Sequence, residues 1–215
     1  MVKRNEAQFV LYAVPGWGSA LAEAMLTWCA VPFRIEDVDG FDGPGPNRDK
    51  LLAVNPLAQV PTLVLPDGTV MTESAAIALL LAEAFPEARL DPRPGSPERA
   101  RYLRRLVWLV ANVYPTFTYG DYPDRWAPAA AEDLKIATNA YREELWRSLE
   151  AEIGSGPWVL GERFSALDIY VGVMSHWRPR RAWFDAHCPK LAGIAGRVDE
   201  EPRLHPVWER NFPAG

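Results

Sequence analysis

The stretch from residue 55 to residue 74 constrains the fold of this chain more than any other. It reads Asn-Pro-Leu-Ala-Gln-Val-Pro-Thr-Leu-Val-Leu-Pro-Asp-Gly-Thr-Val-Met-Thr-Glu-Ser. This order predicts a Val-Pro corner, a short buried strand, a tight turn, a second strand and a polar pair that opens a helix. A constrained backbone edge at Val60 would then lie close to a helix start at Glu73 and Ser74. Such an edge can pair with a peptide backbone and such a helix start can bind a carboxylate, so the arrangement would suit a small peptide.

The residues before this stretch predict alternating strands and helices. Phe9 to Val14 is an apolar run that ends at Pro15-Gly16, which is typical of a buried strand. Ser19 to Ala30 has the apolar spacing of a helix with one buried face. Phe33 to Val38 alternates like a strand, and Arg48 to Val54 is compatible with a short helix. With the elements of the first stretch, the predicted order is βαβαββα.

The second half of the sequence has a different composition. Prolines and a glycine cluster between residues 86 and 97, which is typical of a linker. Strand signals nearly vanish after it, and helical patterns follow in Glu98 to Val113, Ala129 to Ile153, Leu167 to Trp177 and Leu191 to Glu200. The expected domains are therefore 7–87 and an all-α domain over 98–215, joined by a linker at 88–97.

The net charge and the cysteine content argue against nucleic-acid binding and metal binding. The 215 residues carry a net charge of −5, and 48% of them are hydrophobic. An acidic chain with a packed core is a poor partner for nucleic acid. The two cysteines, Cys29 and Cys188, form no metal-binding pattern, so no metal is expected. We find neither a signal peptide nor a run of about 20 apolar residues, so we expect no membrane partner and a cytoplasmic location.

The stretch from 55 to 74 resembles the glutathione-binding half of the glutathione transferases. In that family the Val-Pro bond is cis, the residue before the proline pairs with the cysteinyl backbone of glutathione, and a Glu/Gln-Ser pair binds the γ-glutamyl end. The resemblance implies these roles for Val60, Pro61, Glu73 and Ser74, and it makes Gln59 a candidate for the glycyl end. Ordinary turn and helix-start chemistry is the alternative interpretation of the same residues.

The same resemblance implies the fold class, an α/β thioredoxin-like N-terminal domain plus an all-α C-terminal helical domain. One departure from the family is Ala58, which stands where many members have glycine. Phe164-Ser165-Ala166-Leu167-Asp168-Ile169 is a second family marker, since Ser165 and Asp168 are spaced as a capping box for the core helix of the second domain. Its expected role is structural.

Glutathione reacts as a thiolate, whereas a free thiol with a pKa of about 8.5 is mostly protonated at neutral pH. A hydroxyl donor and a helix start aimed at the sulfur would both lower that pKa. By resemblance, Ser19 at the start of the first helix is our candidate for the sulfur contact, and a plain helix cap is its alternative role. Tyr12 at the end of the first strand is the rival. Gly18 stands where some bacterial members carry a cysteine.

Aromatic residues mark a possible pocket for the second substrate. Trp17 lies in the loop before the first helix, and further aromatic side chains crowd one region of the second domain: Trp108, Tyr114, Phe117, Tyr119, Tyr122 and Trp126. An aromatic wall suits a flat or apolar electrophile. We assign Trp17, Trp108, Tyr114 and Phe117 to this pocket, although aromatic residues at helical spacing also form ordinary cores.

The function that the resemblance implies is transfer of glutathione, as co-substrate, to a small hydrophobic electrophile, a reaction of detoxification. The family also implies a homodimer. Two alternatives stay open. One is glutathione-dependent reduction of disulfides or peroxides, and the other is a transferase-like fold that binds without catalysis. The absence of a cysteine in the loop after the first strand favours conjugation over thiol exchange through a protein cysteine.

Overall fold

The computed structural model describes residues 8–213. Its four strands are β1 (Phe9–Ala13), β2 (Phe33–Asp37), β3 (Thr62–Val64) and β4 (Val70–Met71). They form one sheet in the order β2-β1-β3-β4 within the described part of the chain. β2 runs parallel to β1, whereas β3 is antiparallel to both β1 and β4. The predicted strands are confirmed.

The helices, in chain order, are α1 (Ser19–Trp28), α2 (Pro46–Leu52), α3 (Ser74–Ala84), α4 (Arg99–Trp108), α5 (Tyr114–Asp121), α6 (Pro123–Trp126), α7 (Ala131–Glu152), α8 (Ala166–Met174), α9 (Arg181–His187), α10 (Pro189–Asp199) and α11 (His205–Asn211). A π-helical stretch, Leu109–Val113, joins α4 to α5. The order βαβαββα is therefore confirmed, and the remainder of the described chain is mostly helical.

The chain divides into two compact units. One contains the described residues up to Leu90 together with those from Glu201 onward, and the other runs from Asp91 to Glu200. Our sequence-based boundaries placed everything after residue 97 in the second domain. The C-terminal segment instead groups with the first unit, because α11 and the 3-10 turn before it pack on α1.

The core of the first unit follows from strand alternation. Successive residues of a strand point to opposite faces of the sheet. Leu11 of β1 and Leu63 of β3 are fully buried on one face, where α1 contributes Leu21 and Met25 and packs on α3. Tyr12 belongs to the other face, and it packs against the apolar cluster that is described with the site below.

The second unit is built around α8, whose nine residues are all buried. Gly172 permits its close contact with α10, since a Cβ there would lie 2.7 Å from Val198. The predicted capping box is present, with the Ser165 backbone N–H donating to Asp168 Oδ2 over 2.7 Å. Asp168 Oδ1 also accepts the N–H of Val159 over 2.8 Å, so this carboxyl joins the preceding loop to the helix.

Sequence reasoning missed α5, α6, α9 and α11. Prolines stand within the first two positions of α5, α6 and α11, where a missing N–H breaks no helical hydrogen bond. Read along the sequence, the same prolines resemble helix breaks. Among the described residues, no helix combines the length and apolarity that a bilayer crossing needs.

Candidate functional site

Three chain segments of the first unit leave its sheet at the same end of the strands. Tyr12 near the end of β1 lies opposite Thr62 at the start of β3, because these strands are antiparallel. Leu63 in turn lies opposite Met71 at the end of β4. Three segments therefore leave the sheet at the same end of its strands: the loop that leads to α1, the Val60-Pro61 corner and the segment that leads to α3.

The Val60-Pro61 corner leaves a backbone edge available. The bond is cis, as the resemblance implied. The backbone N–H and C=O of Val60 form no hydrogen bond with other residues in the range 8–213. Pro61 is buried, whereas Gln59 is exposed. This corner therefore presents unpaired backbone groups and an exposed amide side chain to a ligand.

Asn55 holds the corner in shape. The sequence did not reveal this role, because Asn before Pro is also common in ordinary turns. It is 4% exposed. Its Nδ2 donates to the carbonyl of Gln59 over 3.2 Å and to Oγ1 of Thr62 over 2.9 Å. Its Oδ1 accepts the N–H of Leu57 over 3.0 Å. Ala58 adopts the left-handed conformation with φ 46°, which glycine would adopt with less strain.

The start of α3 carries an unusual backbone conformation. Glu73 is exposed and has φ 62° and ψ 105°, a backbone conformation that residues other than glycine seldom adopt. Such strain persists only where the surroundings impose it, and it is frequent at ligand sites. Ser74 is 7% exposed and is the first residue of the helix. The N–H groups of Ala75 and Ala76 form no hydrogen bond with other described residues, so this helix start can accept an anion.

Ser19 lies at the start of α1, but its hydroxyl is already engaged. The side chain is 0% exposed. Its Oγ accepts the N–H of Val14 and donates to the carbonyl of Val14, both over 3.0 Å. The hydroxyl closes the loop between β1 and α1 from the inside, and both its donor and its acceptor capacity are used by Val14. The role that the resemblance implied for this side chain gains no support from its position.

Other donors face the same region. The backbone N–H groups of Gly18 and Ser19 have no acceptor among residues 8–213, because they precede the first hydrogen bonds of α1. Both residues are buried, whereas Tyr12 is half-buried. The hydroxyl of Tyr12 likewise makes no hydrogen bond within the described chain. Tyr12, Trp17 and Val60 all pack, half-buried, on one apolar cluster formed by Val14, Val38, Phe41, Leu51 and Ala58. The structure thus brings these three predicted site residues together.

The loop between β1 and α1 is also held from α11. Asn211 accepts the N–H of Gly16 at Oδ1 over 3.1 Å, and its Nδ2 donates to Glu23 Oε2 over 2.9 Å. Arg210 pairs with the same carboxylate over 2.7 Å. Burial raises the pKa of Glu23, while its bonds to Asn211 and Arg210 oppose that shift. Sequence reasoning could not find these contacts, because they join residues almost a full chain length apart.

The aromatic residues assigned to a substrate pocket in the second unit do not form a single wall. Phe117 is 7% exposed and packs edge-to-face on Trp177 with 5.0 Å between ring centroids. The guanidinium of Arg142 lies over the Phe117 ring, 4.2 Å from the ring centre. Tyr114 also packs on Trp177, whereas Trp108 borders a shallow depression elsewhere, with Leu149 of α7. Phe117 therefore belongs to the core of this unit.

Neither cysteine is prepared for thiolate chemistry. Burial raises the pKa of Cys29 to about 12 and that of Cys188 to about 11, and a nearby carboxylate adds to each shift. Both thiols are therefore protonated at neutral pH. A reaction that needs a thiolate must take it from a bound ligand.

The fold and the site define a class of protein with a thioredoxin-like domain, a ligand edge at a Val-Pro corner and a helical remainder. The family model for the glutathione S-transferase N-terminal domain matches residues 22–84. An uncharacterized GST-like protein of Escherichia coli, YncG, is 45% identical over 201 residues, covering 94% of this chain and 97% of that protein. The disulfide-bond oxidoreductase YfcG of the same organism is 28% identical over 168 residues, with 74% and 75% covered.

A solved structure gives the same answer. The glutathione S-transferase of a sphingomonad, complexed with glutathione, is 28% identical and superposes with a TM-score of 0.78, covering 95% of this chain and 100% of that one. The chain belongs to the glutathione S-transferase family. The predicted fold class is thereby confirmed.

Proposed function

We propose that this protein is a glutathione transferase that joins the sulfur of glutathione to an electrophilic carbon of a hydrophobic substrate. The observation that carries the proposal is that the backbone N–H and C=O of Val60 are unpaired among residues 8–213. Val60 lies at the end of the sheet from which the chain also enters α1 and α3. A tripeptide laid along this edge would pair its cysteinyl backbone with Val60. The sphingomonad relative, whose structure contains glutathione, supports the choice of ligand.

In this proposal the start of α3 binds one end of the ligand and the start of α1 meets its sulfur. The γ-glutamyl end would meet Glu73, Ser74 and the free N–H groups of α3, where an ammonium can pair with the Glu73 carboxylate and a carboxylate with the helix start. Gln59 is exposed beside the corner and would serve the glycyl end. The cysteinyl sulfur would then point to the start of α1.

The proposed thiol activators are the N–H groups of Gly18 and Ser19 and the hydroxyl of Tyr12. Each of these groups has a free donor, whereas the Ser19 hydroxyl is committed to Val14. Donors at a helix start stabilise a thiolate more than a thiol and thereby lower its pKa. The thiolate attacks the electrophilic carbon, a carbon–sulfur bond forms, the leaving group departs with its electron pair, and the thiol proton passes to solvent.

Glutathione titration by calorimetry, followed by a conjugation assay with chloro-dinitrobenzene, tests this proposal. We expect binding at millimolar glutathione or below and measurable conjugation. Ser74→Ala should weaken binding about fivefold or more, the usual range for a lost hydrogen bond to a charged group. Ser148→Ala, an exposed serine of α7, is the control and should bind like the wild type. Absence of glutathione binding would favour the non-catalytic alternative.

Reduction of disulfides is the second candidate, and the likeness to the oxidoreductase YfcG favours it. Because both protein thiols are protonated, the bound glutathione thiolate would attack the disulfide itself and release a thiolate. A second glutathione would then resolve the mixed disulfide and yield oxidised glutathione. Activity with hydroxyethyl disulfide that exceeds conjugation would make this the main function.

The electrophile and the assembly of the protein remain proposals of the same kind. Trp17 is half-buried and packs edge-to-face on Phe41 with 5.3 Å between centroids, which supports it as an apolar wall near the sulfur. A homodimer follows from the family resemblance. Sedimentation equilibrium of the purified chain tests it directly.

A further inference from the structure

The C-terminal helix α11 reaches the loop that carries the proposed sulfur donors. Gly16 has φ 78°, and a Cβ at this position would lie 3.3 Å from the backbone oxygen of Asn211. The Gly16 N–H donates to Asn211 Oδ1 over 3.1 Å. The loop is thus in close contact with the end of α11, and a single residue, Trp17, separates Gly16 from Gly18, whose N–H has no acceptor among residues 8–213.

The amide of Asn211 can adopt only one orientation here. Its Oδ1 faces an N–H donor, and its Nδ2 faces two acceptors, the Glu23 carboxylate over 2.9 Å and the Val207 carbonyl over 2.9 Å. The residue is 5% exposed, so bulk water has little access to these hydrogen bonds. Each hydrogen of the amide nitrogen has its own acceptor, and the reversed amide would place like groups together.

The Glu23 carboxylate ties this amide to α1. Glu23 is 4% exposed, and Arg210 donates to its Oε2 over 2.7 Å. Arg210 touches the carboxylate but makes no hydrogen bond to Gly16 in the described structure. The two neighbours on α11 therefore differ in one respect that an experiment can use: both hold Glu23, and Asn211 alone also holds the loop.

We propose that Asn211 is a positioning residue for thiol activation, because it fixes the loop between β1 and α1 and with it the backbone donors that the sulfur meets. This inference rests on the proposed glutathione transferase function. It makes α11 part of the activity, although this helix is distant in sequence from every predicted site residue. A displacement of reacting groups by about 1 Å can cost about a hundredfold in rate, so a loose loop should reduce activity.

Two variants separate positioning from general support of the fold. Asn211→Ala removes the acceptor for Gly16, whereas Arg210→Gln weakens the hold on Glu23 and leaves that acceptor in place. Asn211→Gln keeps both the acceptor oxygen and the amide donor on a side chain one methylene longer, and it serves as the conservative rescue. The readouts are amide hydrogen exchange of the loop, the pKa of the bound glutathione thiol from thiolate absorbance, and the separate values of kcat and KM.

In the wild type, the Gly16 amide should exchange at least about tenfold more slowly than the Gly18 amide, because only the former has a partner. Asn211→Ala should remove this protection, raise the pKa of the bound thiol and lower kcat about tenfold with a small change in KM. Arg210→Gln should leave all three readouts close to the wild type, and Asn211→Gln should restore part of the protection.

Two results would overturn the inference. One is an unprotected Gly16 amide in the wild type, which needs no variant and no ligand to observe. The other is a bound thiol pKa that is the same in Asn211→Ala and in Arg210→Gln. If Gly16 is protected and released as expected but the wild type binds no glutathione, the proposed function fails while the contact itself is confirmed, so the two failures can be told apart.

Discussion

Oγ of Ser19 lies 3.0 Å from both the backbone nitrogen and the backbone oxygen of Val14. This pair of hydrogen bonds closes the loop that leads into α1. Nearby groups whose donors have no partner among residues 8–213 include the hydroxyl of Tyr12 and the backbone N–H groups of Gly18 and Ser19, and these are the proposed thiol activators.

The first prediction concerns Ser19. Ser19→Ala should lower the free energy of unfolding by about 1–3 kcal/mol, because the buried N–H of Val14 loses its acceptor. The pKa of the bound glutathione thiol should stay unchanged, since the hydroxyl is already committed to Val14. Urea unfolding and thiolate absorbance measure the two effects. A raised thiol pKa in a variant of wild-type stability would return Ser19 to the role that the resemblance implied.

The second prediction concerns Tyr12. Tyr12→Phe keeps the ring that packs on the apolar cluster and removes only the hydroxyl. If this hydroxyl donates to the sulfur, kcat should fall about tenfold or more and the pKa of the bound thiol should rise. Tyr141→Phe, an exposed tyrosine of α7, is the matched control. Wild-type rates in Tyr12→Phe would leave the backbone N–H groups as the activators.

The third prediction uses the strained backbone of Glu73. Glu73→Gly should change the free energy of unfolding by no more than about 1 kcal/mol, because relief of the positive φ offsets the entropy that glycine gains in the unfolded chain. Glutathione affinity should nevertheless fall about tenfold, since a hydrogen-bonded charge partner is lost. Calorimetric titration and thermal unfolding measure both.

Arg89→Gly is the control for Glu73→Gly. Arg89 is also exposed, with φ 54°, and it follows the 3-10 turn Pro86–Ala88 after α3. It should show the same small effect on stability and no effect on glutathione affinity. Equal loss of affinity in both variants would argue against a direct role for Glu73.

The fourth prediction concerns the capping box of α8. Asp168→Ala should destabilise the protein by about 3 kcal/mol, because the buried N–H groups of Val159 and Ser165 both lose an acceptor. Asp133→Ala removes an exposed carboxylate from the first turn of α7 and should cost less than about 0.5 kcal/mol. Urea unfolding of both variants tests the contrast, and equal losses would contradict it.

The same carboxyl should make stability depend on pH. Burial raises the pKa of Asp168 to about 7, despite opposing hydrogen bonds from Val159 and Ser165, whereas the unfolded value is about 3.9. The folded state therefore binds the extra proton between these two values. The contribution of this group to stability is full below about pH 4 and is lost as the pH rises through about 7. The stability difference between the wild type and Asp168→Asn, measured across this range, should decline with rising pH; a rising difference would contradict it.

Local patterns predicted the first unit well. Strand alternation, turn residues and the Val-Pro corner are properties of neighbouring residues, so β1 to β4, α1 to α3 and the corner at Val60 could be read directly. The capping box at Ser165 and Asp168 was predictable for the same reason, since its partners are three positions apart.

Long-range contacts explain what the sequence did not reveal. Nothing near Asn211 indicates that it binds Gly16, and nothing in the C-terminal segment indicates that α11 packs on α1. Ser19 was placed correctly at a helix start, but the partner of its hydroxyl depends on how the loop folds back to Val14. The sequence does not distinguish Phe117 in a core from Phe117 in a binding pocket, because aromatic residues are frequent in both.

The structure of the protein with bound glutathione tests the account most directly. We predict that the cysteinyl backbone pairs with Val60 and that the sulfur lies within about 3.5 Å of the Tyr12 hydroxyl or of the N–H of Gly18 or Ser19. A tripeptide bound away from Val60, or a sulfur remote from all three donors, would contradict the proposed function.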